Sequence, residues 1–184
     1  SPADTVKEGL PLLGADCDPL VPTQCGFPFP SNVYLQDDPS TPTGKRVVFG
    51  PTTLPVQGNG LHMAPELWAS SDGFSPGQPV MTHLPGATIT GLPTQDTIES
   101  SLSDSSPTVL IDAETGERIP HFSELDMSLS TEEDAERTLM IHPVVRLKDS
   151  TRYIAAFRRV VDHDGKQIAP SPVFQALRDG SAAS

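Results

Sequence analysis

The amino-acid sequence predicts a mainly β protein: an antiparallel sandwich preceded by a long proline-rich irregular segment and carrying one or two short helices. Three observations predict it. The 184 residues include 20 prolines and 14 glycines, and an interior proline removes a helical hydrogen bond and clashes with the preceding turn, so long helices are excluded. The apolar, β-branched runs are four or five residues long and closed by turn residues. Nothing between those runs has the length or periodicity of a crossover helix, which leaves antiparallel pairing as the connection.

Taken in order, residues 1–45 hold no sustained periodicity. Prolines at 11, 19, 22, 28, 30, 39 and 42 read as a chain laid over a domain surface, with Phe27, Phe29 and Tyr34 pinning it. Arg46-Val47-Val48-Phe49 is the first strand, closed by Gly50-Pro51. Pro65-Glu66-Leu67-Trp68 fits one helical turn. Residues 80–84 read as a strand ending at Pro85. A short helix fits residues 94–102, with Thr94 as N-cap.

Residues 108–112 are a strand, and Ala113-Glu114-Thr115-Gly116-Glu117 a hairpin turn in which Gly116 supplies positive φ. Residues 118–122 return as its partner. Residues 138–142 form a strand ended by Pro143. Residues 151–160 form the longest, with Tyr153, Ala155 and Phe157 on one face. Asp162-His163-Asp164-Gly165 turns the chain, and residues 172–178 leave as a helix. The organisation this implies is a wrapping segment over 1–78, a sandwich over 79–180, and a linker or cut end at 181–184.

The net charge of −12 repels phosphate backbones and anionic membrane surfaces, so nucleic acid is excluded as a partner class. No apolar run approaches the roughly 20 residues of a membrane span. Cys17 and Cys25 have seven residues between them, two of which are proline. A disulfide is the first choice over free thiols, and a metal clip lacks a neighbouring histidine or further cysteine. A bridge places the protein outside the cytosol.

Four sets of residues invite a chemical reading. Gly73-Phe74-Ser75-Pro76-Gly77 matches the G-x-S-x-G elbow of serine hydrolases, but the residue after the serine must donate a backbone N–H to the oxyanion and Pro76 has none. The alternative is an ordinary loop. His83, His121 and His142 fall on strands, yet none shows the short spacing of a zinc site. Asp162-His163-Asp164-Gly165-Lys166 has the alternating acids of a calcium loop, but Lys166 occupies the third ligand position. Glu132-Glu133-Asp134 with Glu136 reads as a solvated acidic loop, a weak calcium ion being the one cofactor left open. Trp68, Tyr34 and Phe74 remain, either as ligand contacts or as anchors for the wrapping segment.

Thr151-Arg152-Tyr153-Ile154-Ala155-Ala156-Phe157, followed by Val161-Asp162-His163-Asp164-Gly165-Lys166-Gln167-Ile168, resembles the closing hairpin of bacterial Ig-like domains. Val109-Leu110-Ile111-Asp112 with Gly116-Glu117 resembles that family's preceding hairpin. Cys25-Gly26-Phe27-Pro28-Phe29-Pro30-Ser31-Asn32 and Asp72-Gly73-Phe74-Ser75 are similar to the N-terminal region of large secreted bacterial proteins. These include a lipase-like family in which such a domain precedes an α/β-hydrolase.

The resemblance implies an Ig-like sandwich that is an accessory module of a secreted or lipid-anchored envelope protein. It implies no catalytic residue here, and its partner would be the downstream domain of the same polypeptide. The alternatives are a free-standing module binding carbohydrate, a polymer or a protein, and a small enzyme using Ser75 or the histidines.

Overall fold

The computed structural model describes residues 16–128 and 134–180. Its strands are β1 (Leu35–Asp37), β2 (Lys45–Val47), β3 (Val80–Thr82), β4 (Thr108–Asp112), β5 (His121–Leu125), β6 (Leu139–Pro143) and β7 (Tyr153–Phe157), followed by one α-helix, α1 (Pro172–Asp179). All pairings are antiparallel: β1 with β2, β4 with β7, and a sheet of order β3-β6-β5.

Strand β4 alternates, burying Thr108, Leu110 and Asp112 and half-burying Val109 and Ile111. That period of two is what a strand with one face on a core requires. Its inner Leu110 meets Ile141 of β6 and Ile119, with Val80, Tyr153, Ala155 and Phe157 packed around them. The β4-β7 sheet therefore lies on the β3-β6-β5 sheet in the manner of a small sandwich. A second cluster, Ala87, Leu92, Leu139 and Val160, closes it where loops cover the sheet.

Strand exchange differs from the expectation at one place. Residues 118–122 do not return along β4 as a full partner. The hairpin exists only at its turn, where Asp112 N–H donates to the Glu117 carbonyl and Ile119 N–H to Leu110. Gly116 holds the expected positive φ of 72°. Pro120 then has no N–H to extend the ladder, and the chain crosses to the other sheet, where β5 pairs with β6 from His121↔Pro143 to Leu125↔Leu139. The partner of β4 is β7, over five register pairs from Thr108↔Phe157 to Asp112↔Tyr153.

Three elements are shorter than the sequence suggests. β7 stops at Phe157 because Arg159 takes φ 57°, a left-handed conformation that ends a ladder. The helix expected over 94–102 is a 3₁₀ turn, Ile98–Leu102. Ser100 Oγ bonds the Thr97 carbonyl at 2.7 Å, the local competition by which serine unseats helix. β3 ends at Thr82, two residues early.

One strand went unforeseen. β1 lies inside the proline-rich stretch and pairs with β2 from Leu35↔Val47 to Asp37↔Lys45. Around this hairpin residues 16–78 build their own core. Tyr34, Val47 and Phe49 are buried, and Phe29, Leu35, Leu54, Trp68 and Phe74 pack on them. Phe29 also exchanges both backbone hydrogen bonds with Met81, at 2.9 and 2.6 Å, which covers the open edge of β3.

Candidate functional site

Between the aromatic region and the sandwich lies a cleft of about 860 Å³, within the range that holds small organic ligands. One wall comes from residues 30–45 and the loop 71–78. The other is the inner face of β7 and the loop 147–153. Phe74 and Tyr153 supply rings, and Val80, Leu110 and Leu147 the apolar floor.

Local chemistry explains the loops. Gln78 Oε1 accepts the Ser75 N–H at 3.1 Å, and Ser75 Oγ accepts the Gly77 N–H at 3.4 Å, which folds 73–78 back on itself. The Tyr153 hydroxyl accepts the Lys148 N–H at 2.9 Å, tying the loop ahead of β7 to its first ring. Lys148 Nζ reaches the buried Asp112 at 3.2 Å. Backbone hydrogen bonds from Thr115 and Glu114, then Lys148, hold the Asp112 carboxyl below the usual carboxylate range.

The polar lining has unspent capacity. Gln78 Nε2 is buried with no acceptor. The side chains of Asn32, Asp72 and Arg152, all in the lining, make no hydrogen bond or ion pair with any described residue.

Ser75 lines this cleft, but no histidine does. The three strand histidines are spent separately. His83 bonds Thr23 Oγ1 through Nδ1 at 2.6 Å and the Ala135 carbonyl through Nε2 at 2.9 Å. His121 is wholly buried, accepting from or donating to Thr108 through Nε2 at 2.9 Å and donating to the Ile119 carbonyl through Nδ1 at 2.8 Å. The carbonyl can only accept, so the Nδ1 proton is assigned and Thr108 donates. Burial pushes the His121 pKa below its ordinary value. His142 stacks on Phe122 at 4.8 Å and faces Glu124 at 2.9 Å. His121 and His142 belong to adjacent register pairs, so the pleat turns them to opposite faces. No group of three or more metal-ligating side chains forms among the described residues.

The calcium-type loop is self-satisfied: Asp162 Oδ1 accepts the N–H of Asp164 and of Lys166, at 3.0 and 2.9 Å. The acidic run at 132–133 lies outside the described residues.

Of the three aromatic residues singled out in sequence, the structure brings one to the cleft. Phe74 lines it, edge-on to Phe29 at 5.3 Å. Tyr34 is buried, 2% exposed, and Trp68 sits edge-on to Phe49 at 6.0 Å. Of the two readings open for Tyr34, its burial fits the anchor: it belongs to the aromatic core. The missed members, Asn32, Gln78, Arg152 and Tyr153, carry no local motif.

Cys17 and Cys25 form a disulfide, a bond compatible with an oxidising compartment. The loop they close, together with Asp16 just before it, touches three distant stretches. Asp16 accepts from the backbone and side chain of Thr52 and from Thr53. Burial raises the Asp16 pKa, but these hydrogen bonds outweigh it and leave the carboxyl below its usual range. Thr23 meets His83 as described. Ser171 Oγ donates to the Leu20 carbonyl at 2.8 Å. Gly26 completes the loop at φ 88°, where a Cβ would lie 3.0 Å from the Thr53 carbonyl.

Ser171 is also the N-cap of α1, accepting the Phe174 N–H, with Pro172 at the first turn and Gly180 in the left-handed C-cap. No residue of α1 is buried. Phe174 and Leu177, three apart and hence on one face, are 46% and 68% exposed. No helix among the described residues is long and apolar enough to cross a membrane.

Comparison of the chain with family models, curated proteins and solved structures returned no match. Fold and site together define the class: a disulfide-stapled, mainly β protein with antiparallel sheets, a cleft between its two regions and one capped α-helix with exposed apolar side chains.

Proposed function

We propose that this chain is a non-catalytic accessory domain, Ig-like in type, of a larger secreted or envelope-anchored bacterial protein of the hydrolase kind, and that it packs against a following domain through α1. The observation that carries the reading is the helix itself. Its caps are complete at both ends, so it is a well-specified element, yet only Val173 and Ala176 are half-buried, while Phe174 and Leu177 face solvent. An amphipathic helix normally gains its stability from the apolar face it covers. A partner surface on that face supplies what the domain alone does not. The disulfide supports secretion.

The test compares the 184-residue chain with the longer polypeptide that continues past Ser184. Burying each of these side chains stabilises by about 1.5–3 kcal/mol. The double variant Phe174→Ser, Leu177→Ser is expected to lower the stability of the longer polypeptide by about 3–6 kcal/mol, and that of the short chain by less than about 0.5 kcal/mol. Equal effects in both, measured by chemical denaturation, would remove the proposal.

A further inference from the structure

Independently of α1, the cleft carries a ligand class of its own. We propose that it is a binding site for a neutral oligosaccharide. A sugar ring offers two surfaces at once: faces of C–H groups, and a rim of hydroxyls that both donate and accept. The cleft has the complement of each. Phe74 and Tyr153 bring rings to the lining, beside the apolar Val80 and Leu147. Around them stand four planar polar side chains with unused capacity: the Asn32 amide, the Asp72 carboxylate, Gln78 Nε2 and the Arg152 guanidinium.

The Gln78 amide is the most telling of these. Its Oε1 is occupied by the Ser75 N–H, which orients the group and leaves Nε2 buried without an acceptor. A buried donor without an acceptor is destabilising, and a hydroxyl oxygen entering the cleft would accept from it.

Other occupants fit less well. An apolar ligand would cover four polar groups and pair none. The lining mixes Lys45, Lys148 and Arg152 with Asp72 and Asp149, so a charged ligand of either sign meets like charge as well as opposite charge. An extended peptide seeks a strand edge for its backbone, whereas this cleft offers loops and the face of a sheet. Uncharged polyhydroxyl chemistry satisfies every wall.

The test is an amide chemical-shift titration of the isotope-labelled full chain. The probes are five neutral hexasaccharides (cello-, xylo-, manno-, malto- and N-acetylchito-), with hexagalacturonate as polyanionic and decanoate as apolar-chain competitor. Saturable shifts at amides within 71–78 and 147–153 are expected with at least one neutral probe. Asn32→Ala and Arg152→Ala are each expected to weaken that binding about threefold to tenfold, the worth of one hydrogen bond. Phe74→Ala should weaken it about tenfold or more, through lost ring contact. Phe74 also packs on Phe29, so its variant could lose the fold. Asn32 and Arg152 are exposed, and their variants keep the test decisive. No saturable shift with any neutral probe overturns the proposal, as does tighter binding of hexagalacturonate or decanoate. Unchanged affinity in both the Asn32 and Arg152 variants overturns the site.

Discussion

Residues 16–78 and residues 79–180 solve the same problem by different means. The second region is held by backbone ladders, β4 with β7 and β5 with β6, over an aliphatic core centred on Leu110, Leu139 and Ile141. The first has one three-residue ladder. Its coherence comes from rings in sequence of contact, Phe74 on Phe29, Phe29 and Tyr34 on Phe49, Phe49 on Trp68, and from a disulfide. Proline removes the donors that ladders need. A chain so rich in it must bury area through a few large side chains, and an aromatic ring buries more than any other.

That contrast can be broken or sharpened by experiment. The largest effect is expected from Phe49→Ala, which takes the ring in contact with three others out of the first region, at about 3–5 kcal/mol. Trp68 is the sole tryptophan and packs on Phe49, so its fluorescence reports the first region while far-ultraviolet dichroism reports the ladders. If the two regions form one cooperative unit, both signals shift together in the variant. Separate transitions would show two units.

Next comes the staple. Replacing both Cys17 and Cys25 with Ser frees a short loop in the unfolded chain and is expected to cost about 2–3 kcal/mol. Equilibrium denaturation of the variant beside the oxidised protein checks it. A loss far larger than this would mean the loop's contacts to Thr52, His83 and Ser171 collapse with it.

Ser171→Ala is expected to cost about 1 kcal/mol, the usual worth of an N-cap. Hydrogen exchange should quicken at the amides of α1 and leave those of β4 and β7 unchanged. Exchange that quickens throughout would place the helix within the global unit.

The smallest effect near neutral pH concerns His121. Its pKa in the folded state lies below the ordinary 6.5 because burial disfavours the cation. Above about 6.5 the imidazole is neutral in both states, and its full contribution is present. As pH falls below that value the unfolded chain binds a proton that the folded one resists, so stability declines until the folded pKa is passed. Denaturation midpoints taken from pH 7.5 to 5 should fall, and His121→Asn should flatten that slope. An unaltered slope in the variant would assign it to other groups.

Much of the second region was legible because its signals are local. The short apolar run of residues 108–112, the Gly116 and Asp162–Gly165 turns, and the proline at the start of α1 each carry a chemical cause within a few residues. The Cys17–Cys25 pairing was legible for the same reason. What could not be read was long-range. Nothing in residues 118–122 announces that Pro120 will send the strand to the other sheet. β1 is too short, and too closely hemmed by prolines, to show a period. The cleft was invisible because its walls are separated by some seventy residues of chain. Tyr34, Trp68 and Phe74 look alike in sequence, and only packing decides that Phe74 reaches the cleft while Tyr34 is sealed.

The hydrogen bond from Ser171 to Leu20 spans 151 positions, so it brings the entry to the described fold against its exit. Tension applied through those two points reaches this bond before any β-ladder. On the entry side the load is shared with Asp16, bonded to Thr52 and Thr53, and the disulfide keeps residues 17–25 from drawing out straight.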